Sequence, residues 1–403
     1  MWDSIIIDGF SLVFRWLHVV AAMGWIGSSF YFIHLDLSLQ TGKDLPQGVA
    51  GEAWQVHGGG FYQIVKFFVA PKAMPDKLTW FKWEAYTTWL SGFVLVAIVY
   101  YLDADLFLVD KSVLDLTPLQ AALFSLVSLA LAWLLYEGAC RSRIARRELA
   151  FVMGGYVFLV GLTYAFTHVL SGRGAFNQIG AIIGTIMVAN VFLVIIPNQK
   201  KTVAALIAGE QPDPKLGKVG KQRSVHNNYL TLPVIVLMIS NHYPLLFATR
   251  YNWLIVAIVL ALGPVIRHFF NSRHAGLGSP WWVWGVVAAG MAAIAFLSAA
   301  GPRDAKIEDA KTGEVSTASF AQVERIVGTR CSMCHAAEPV WPTLAMAPKA
   351  IRLDEADHIR RNARLIGRNA AWSSAMPPGN ITEMTSSERA TIAAWLAAGA
   401  PAR

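Results

Sequence analysis

The sequence predicts an all-α protein, a polytopic membrane bundle of about eight transmembrane helices followed by a small C-terminal helical domain. Three observations carry that reading. Hydrophobic residues make up 55% of the 403-residue chain and charged residues only 15%, where an ordinary soluble domain is about a quarter charged. Apolar runs of about 20 residues, the length that crosses a bilayer core, recur along the first three quarters of the chain. From Ser319 onward a helical pattern resumes over a stretch that suits one small domain of about 85 residues.

The spans are read at 10–33, 79–101, 118–137, 149–170, 178–196, 229–247, 252–270 and 281–300. The first is too long for the apolar core of a cleavable signal and reads as a retained helix. The insert 34–78 holds His57 beside Gly58, Gly59 and Gly60 and is expected to lie on the cytoplasmic face, partly as an interfacial helix. Span six is the weakest, because Asn241 and His242 interrupt it. The segment 301–318 is polar, lacks an apolar period and reads as a linker. The expected division is therefore 1–300, linker 301–318, and 319–403.

Loop charge sets the orientation. The net charge of +8 collects in loops, so it reports topology, and nucleic acid is not an expected partner. Arg141, Arg143, Arg146 and Arg147 mark one internal loop, Lys200, Lys201, Lys215, Lys218, Lys221 and Arg223 a second, and Arg267 and Arg273 a third. Asp103, Asp105, Asp110 and Asp115 mark an external one. With eight spans, both termini then lie outside.

There are 3 cysteines, too few for a disulfide framework. Cys140, beside Arg141, reads as a bystander. Cys331-Ser332-Met333-Cys334-His335 is C-x-x-C-H, in which two thiols can bond haem vinyl carbons and His335 can ligate the iron from below. The C-terminal domain is thus expected to be a cytochrome c domain with one covalent haem c. Met376, in Ala375-Met376-Pro377-Pro378-Gly379, is the candidate sixth ligand, with Met346 and Met384 as rivals. A thioether ligand raises the potential, as an electron acceptor requires.

Ionisable groups inside a membrane mark ligands, relays or substrate contacts. His18, His168 and His242 fall in the outer half and are candidate ligands of a haem b, with His18 first among them. The inner half is richer in polar groups. His226, His268, Glu84 and His57 are candidate catalytic residues, and Asn227, Asn228 and Arg267 candidate substrate-binding residues. Amides can read the edges of a polar heterocycle, and arginine can hold an anion by a forked hydrogen bond.

Several strings together resemble one family. They are Trp16-Leu17-His18 with Gly24-Trp25-Ile26-Gly27, His57-Gly58-Gly59-Gly60-Phe61-Tyr62, Trp80-Phe81-Lys82-Trp83-Glu84-Ala85-Tyr86, Ile195-Ile196-Pro197-Asn198-Gln199, His226-Asn227-Asn228-Tyr229 and Ser240-Asn241-His242-Tyr243-Pro244. With the C-x-x-C-H segment, they resemble the bacterial membrane-integral cytochrome c urate oxidases over nearly the whole chain. The resemblance implies oxidation of urate to 5-hydroxyisourate, with electrons passed through haem c to a soluble cytochrome c or terminal oxidase instead of oxygen. It also implies a multi-pass protein of the bacterial inner membrane with a periplasmic cytochrome domain. The alternatives are oxidation of another substrate, such as a quinol, and a non-catalytic electron-transfer subunit.

Overall fold

The computed structural model describes residues 2–42, 45–71, 74–301, 318–342 and 344–401. Most of the expected linker, 302–317, lies outside them. The described chain is mostly helical, and each expected span has a helical counterpart. Among the described residues five helices are long and apolar enough to cross a membrane, and Trp282–Ser298 is a shorter apolar helix. The molecule is a membrane protein.

The chain begins with α1 (Trp2–Leu37), continues through two strands, β1 (Val49–His57) and β2 (Gly60–Phe67), and enters α2 (Trp83–Val96). After the short α3 (Ala104–Phe107) come α4 (Pro118–Arg141), α5 (Glu148–Phe166), α6 (Gly172–Ala189) and α7 (Ile196–Ile207). The bundle closes with α8 (Pro214–Ile239), α9 (Pro244–Phe247), α10 (Asn252–His274) and α11 (Trp282–Ser298). The C-terminal unit comprises α12 (Phe320–Arg330), α13 (Ala356–Arg361), α14 (Ala363–Ile366) and α15 (Ser386–Ala397).

Two expectations are corrected. The insert holds a β-hairpin, not an interfacial helix. Gly58 and Gly59 sit at φ 57° and 81° in a two-residue turn, a backbone that glycine enters without steric cost, and His57 pairs with Gly60 across it. The long basic loop 197–228 is also mostly helix. Helix α6 runs through a π-helical turn, Asn190–Ile195, straight into α7. Pro197 falls in the first turn of α7, where its missing N–H is tolerated. Asp213 caps α8 by accepting from the Lys215 N–H at 2.9 Å, so span six starts well before residue 229 and ends at Ile239.

Helix α6 is central, with Phe176, Ile179, Ile182 and Ile183 fully buried. Around it α4, α5, α8 and α10 supply one continuous apolar core. Helices α8 and α10 meet where Gly263 faces Pro233, so closely that a Cβ on Gly263 would lie 2.3 Å from the proline ring. The C-terminal unit has its own core around Val323, Val327, Ile392 and Trp395.

This unit sits on one end of the bundle. The Ser374 N–H donates to Ala248 O at 3.2 Å, and Ala375 joins the bundle core. Gly379, at φ 55°, presses on α3, where a side chain would meet Val109 O at 2.5 Å and Asp105 O at 2.6 Å. The docking end thus collects the loop 102–117, the start of α6 and the segment 244–251.

Candidate functional site

A cavity of about 470 Å³ lies toward the opposite end of the bundle. From Gly172 at the docking end to Met187 on the cavity wall, α6 rises about 22 Å. The C-terminal half of α1 contributes Trp25, Ser28, Phe32 and Asp36, and the approach to α2 contributes Thr79, Trp80 and Phe81. The π-helical turn supplies Val191 and Ile195, α7 supplies Gln199, and α8 supplies Ser224, Asn227 and Thr231. A π-helical turn inserts one residue into the helical register and often marks a functional position. Here it puts Val191 and Ile195 on the cavity wall and Asn190 in the network behind it. Flat aromatic walls with scattered amides and hydroxyls suit a planar polar heterocycle.

Asn227 is held firmly. Its amide donates to Met187 O at 2.9 Å and its oxygen accepts from Asn190 at 2.9 Å. Asn190 also donates to the Tyr136 hydroxyl at 3.0 Å, which hydrogen-bonds His226 Nδ1 at 2.8 Å. His226 therefore stands behind the cavity, its ring stacked on Phe151 at 4.9 Å, and acts on the site only through this chain.

The remaining expected residues disperse. Glu84 lies against α1 beside Gly24, one turn beyond Trp80. His268 is exposed and faces Trp282 at 6.2 Å. His57 is exposed at the hairpin tip, and the hairpin reaches the cavity rim through Lys66, whose ammonium lies 2.5 Å from Asp36. Asn228 and Arg267 are buried on the other side of α8, where Arg267 Nε donates to Asn228 Oδ1 at 3.3 Å and the guanidinium covers Phe30 at 4.0 Å. Asp36 and Lys66 belong to no sequence motif, whereas the wall residues Trp25, Trp80 and Phe81 lie in strings that carry the family resemblance without a site role assigned to them there.

His18 turns Nδ1 to Thr88 O at 2.9 Å. A carbonyl partner makes that nitrogen the donor and leaves Nε2 with a lone pair, the tautomer of a ligand. Gly92 makes room for the ring, since a Cβ there would lie 2.8 Å from His18 Cε1. His168 instead bonds Tyr164 O at 2.6 Å on α5, and His242 is exposed beyond α8. The three pack on different helices, and a carbonyl partner on Nδ1 leaves Nε2 of both His18 and His168 with a lone pair; His18, its ring seated against Gly92 of α2, fits a haem b.

The C-x-x-C-H segment fits a haem c. Ser319 and Gln322 form a capping box that starts α12, and the helix ends at Cys331. The His335 N–H then donates to Cys331 O at 2.9 Å, folding the motif into one turn. His335 Nδ1 bonds Ile351 O at 2.8 Å, which again leaves Nε2 for iron. Burial pushes the Cys331 thiol up to about 12 and also raises Cys334, unlike the low-pKa thiols of redox C-x-x-C pairs. Trp341 Nε1 is buried with no partner among the described residues, a donor suited to a haem carboxylate.

Met376 packs half-buried against the same core as Cys331. Its N–H donates to Asn369 O and its carbonyl accepts from Arg389, both at 2.8 Å. Buried Arg389 also donates to Ala370 O and Ser373 O, and so fixes the whole loop. Met346 is exposed and Met384 is core packing, which leaves Met376 the best placed of the three.

A family model described as urate oxidase N-terminal matches residues 4–298, which hold α1 to α11 and end before the C-x-x-C-H segment. Neither a curated protein nor a solved structure matches the chain.

Proposed function

The chain belongs to the urate oxidase N-terminal family, and on that premise we propose that it oxidises urate to 5-hydroxyisourate in the 470 Å³ cavity and passes the electrons through its C-terminal unit to a soluble cytochrome c or terminal oxidase. The observation that carries this reading is the cavity itself, aromatic-walled, amide-lined and formed wholly within the matched region. Urate plus water gives 5-hydroxyisourate, two protons and two electrons.

Trp25, Trp80 and Phe81 sandwich the flat ring. Asn227 and Gln199 read its edges, and their amides offer both a donor and an acceptor. Asp36, the cavity carboxylate, takes a proton as water adds, and Lys66 orients it through their ion pair. Tyr136 and His226 hold Asn227 through Asn190.

Cys331, Cys334, His335 and Met376 would hold haem c, and His18, about two turns before Trp25 on α1, would hold a haem b. When bound, these haems supply one-electron acceptors between the cavity and the docking end. Loop charge supports a periplasmic docking end and a cytoplasmic cavity end, and the family resemblance supports a bacterial inner membrane.

The test is a steady-state assay of the purified chain with urate and oxidised soluble cytochrome c. The expected result is urate-dependent reduction of two cytochromes per 5-hydroxyisourate without hydrogen peroxide. Peroxide production, or no reduction, contradicts the proposal. A pyridine haemochromogen spectrum is expected to count one c and one b haem per chain, with the b signal lost in His18→Ala. Retention of the b signal in that variant would remove His18 as its ligand.

A further inference from the structure

On the side of α8 opposite the cavity, α1, α8 and α10 enclose a seam whose hydrogen-bonding capacity is out of balance. Arg267 is 5% exposed and Asn228 is 1% exposed. The Asn228 oxygen accepts from Arg267 at 3.3 Å and from Asn271 at 3.1 Å. The Asn271 oxygen accepts from Arg267 at 2.9 Å. Both side-chain acceptors are thereby used, and what remains is a surplus of donors. Asn228 Nδ2 is buried with no partner among the described residues. No Asp or Glu pairs with Arg267 among those residues.

Toward the end of α10, His34 and His274 meet edge to face at 4.3 Å, and Nδ1 of each is buried without a partner among the described residues. A buried guanidinium is costly without an anion. Phe30 under the guanidinium gives it a flat apolar floor but no negative charge.

We propose that this seam is a second binding site, for a small planar anion, in which Arg267 and the free Asn228 amide hold two of its oxygens and the paired rings of His34 and His274 flank it toward the end of α10. The ligand chemistry is a delocalised oxyanion. Either a free carboxylate or the anionic heterocycle itself could supply it. The site is distinct from the cavity, whose lining carries no Arg, Lys or His, and it does not rest on the urate reading.

The test uses the full haem-loaded chain in detergent, with acetate and urate as separate probes, read by calorimetric titration and by the thermal midpoint. A ligand that binds only the folded chain raises that midpoint in proportion to the logarithm of its concentration. Acetate is expected to bind with one equivalent and raise the midpoint. Arg267→Gln is expected to weaken it at least tenfold. Asn228→Asp supplies the anion from within, so it is expected to raise the resting midpoint and abolish the acetate response; this variant carries the test if Arg267→Gln does not fold.

A second urate equivalent in the wild type, missing in Asn228→Asp, identifies the heterocycle as an occupant as well. A single urate equivalent in both, with acetate binding intact, assigns the site to free carboxylates. The proposal is overturned if acetate has no effect and the wild type takes only one urate, or if binding is unchanged in both variants. Loss of urate turnover with acetate binding retained would instead overturn the cavity reading alone.

Discussion

Asn227 and Asn228 are neighbours on one helix, yet they serve two unlike places. Asn227 faces a roomy cavity with aromatic walls, and both its amide atoms are engaged. Asn228 faces a seam with a buried cation and an amide nitrogen left over. One residue turns an α-helix by about 100°, and here that step separates space from charge. The cavity can hold a ring of urate size but offers no cation on its wall. The seam offers a cation and donors. Shape recognition and charge recognition are thus divided between two faces of α8.

The largest expected effect comes from a change that strikes both faces together. Gly263→Val would drive a side chain into Pro233, a rigid ring 2.3 Å from the first added carbon. Overpacking of this kind costs about 1–3 kcal/mol or more. We expect a sharp loss of monodisperse protein and a lower thermal midpoint, with cavity and seam binding lost in parallel. Loss of one alone would show that α8 and α10 are not a shared frame.

Next is Asp36→Asn, expected to lower kcat about a hundredfold through loss of the base, with binding of urate and acetate nearly unchanged. A wild-type kcat would transfer the role to Glu84. Asn227→Leu should follow, with kcat/KM for urate down about tenfold to a hundredfold and a stability loss of about 0.5–1.5 kcal/mol for each of the two hydrogen bonds that Asn227 makes with Met187 O and Asn190. The acetate response at the seam should survive, and its disappearance would erase the distinction between the faces. The smallest effect is Lys66→Ala. An exposed ion pair contributes about 0–1 kcal/mol, so stability should hardly change while kcat falls a fewfold; a collapse of folding would mean the hairpin is structural.

What could be read in the chain depended on whether its signal was contiguous. The Cys331–His335 motif is five adjacent residues, and the long helices announce themselves by apolar length. The insert 34–78 reads as partly an interfacial helix because nothing in its pattern assigns a turn role to the three glycines, although Gly58 and Gly59 supply the positive φ of a tight turn. The cavity was missed for a different reason. Trp25, Trp80 and Gln199 stand in strings that mark the family but give no site role, Ser28 and Asp36 stand in none, and all five meet only through packing; a π-helical turn is a one-residue change of register with no sequence mark. Lys66 entered through strand pairing that the sequence pattern did not disclose. Asn227, Asn228 and Arg267 stand out by residue type, but residue type does not say that Asn227 turns to the cavity while Asn228 turns to Arg267 of α10; that division depends on how α8 packs.

The most direct test of the central claim is anaerobic rapid mixing of the purified chain with urate, with no soluble acceptor present, while following the α-band of haem c. The account predicts reduction of haem c by urate within the chain. It further predicts that Asn227→Leu slows this reduction greatly with the same covalent haem content. A haem c that stays oxidised with urate, yet is reduced at once by dithionite, would contradict the account.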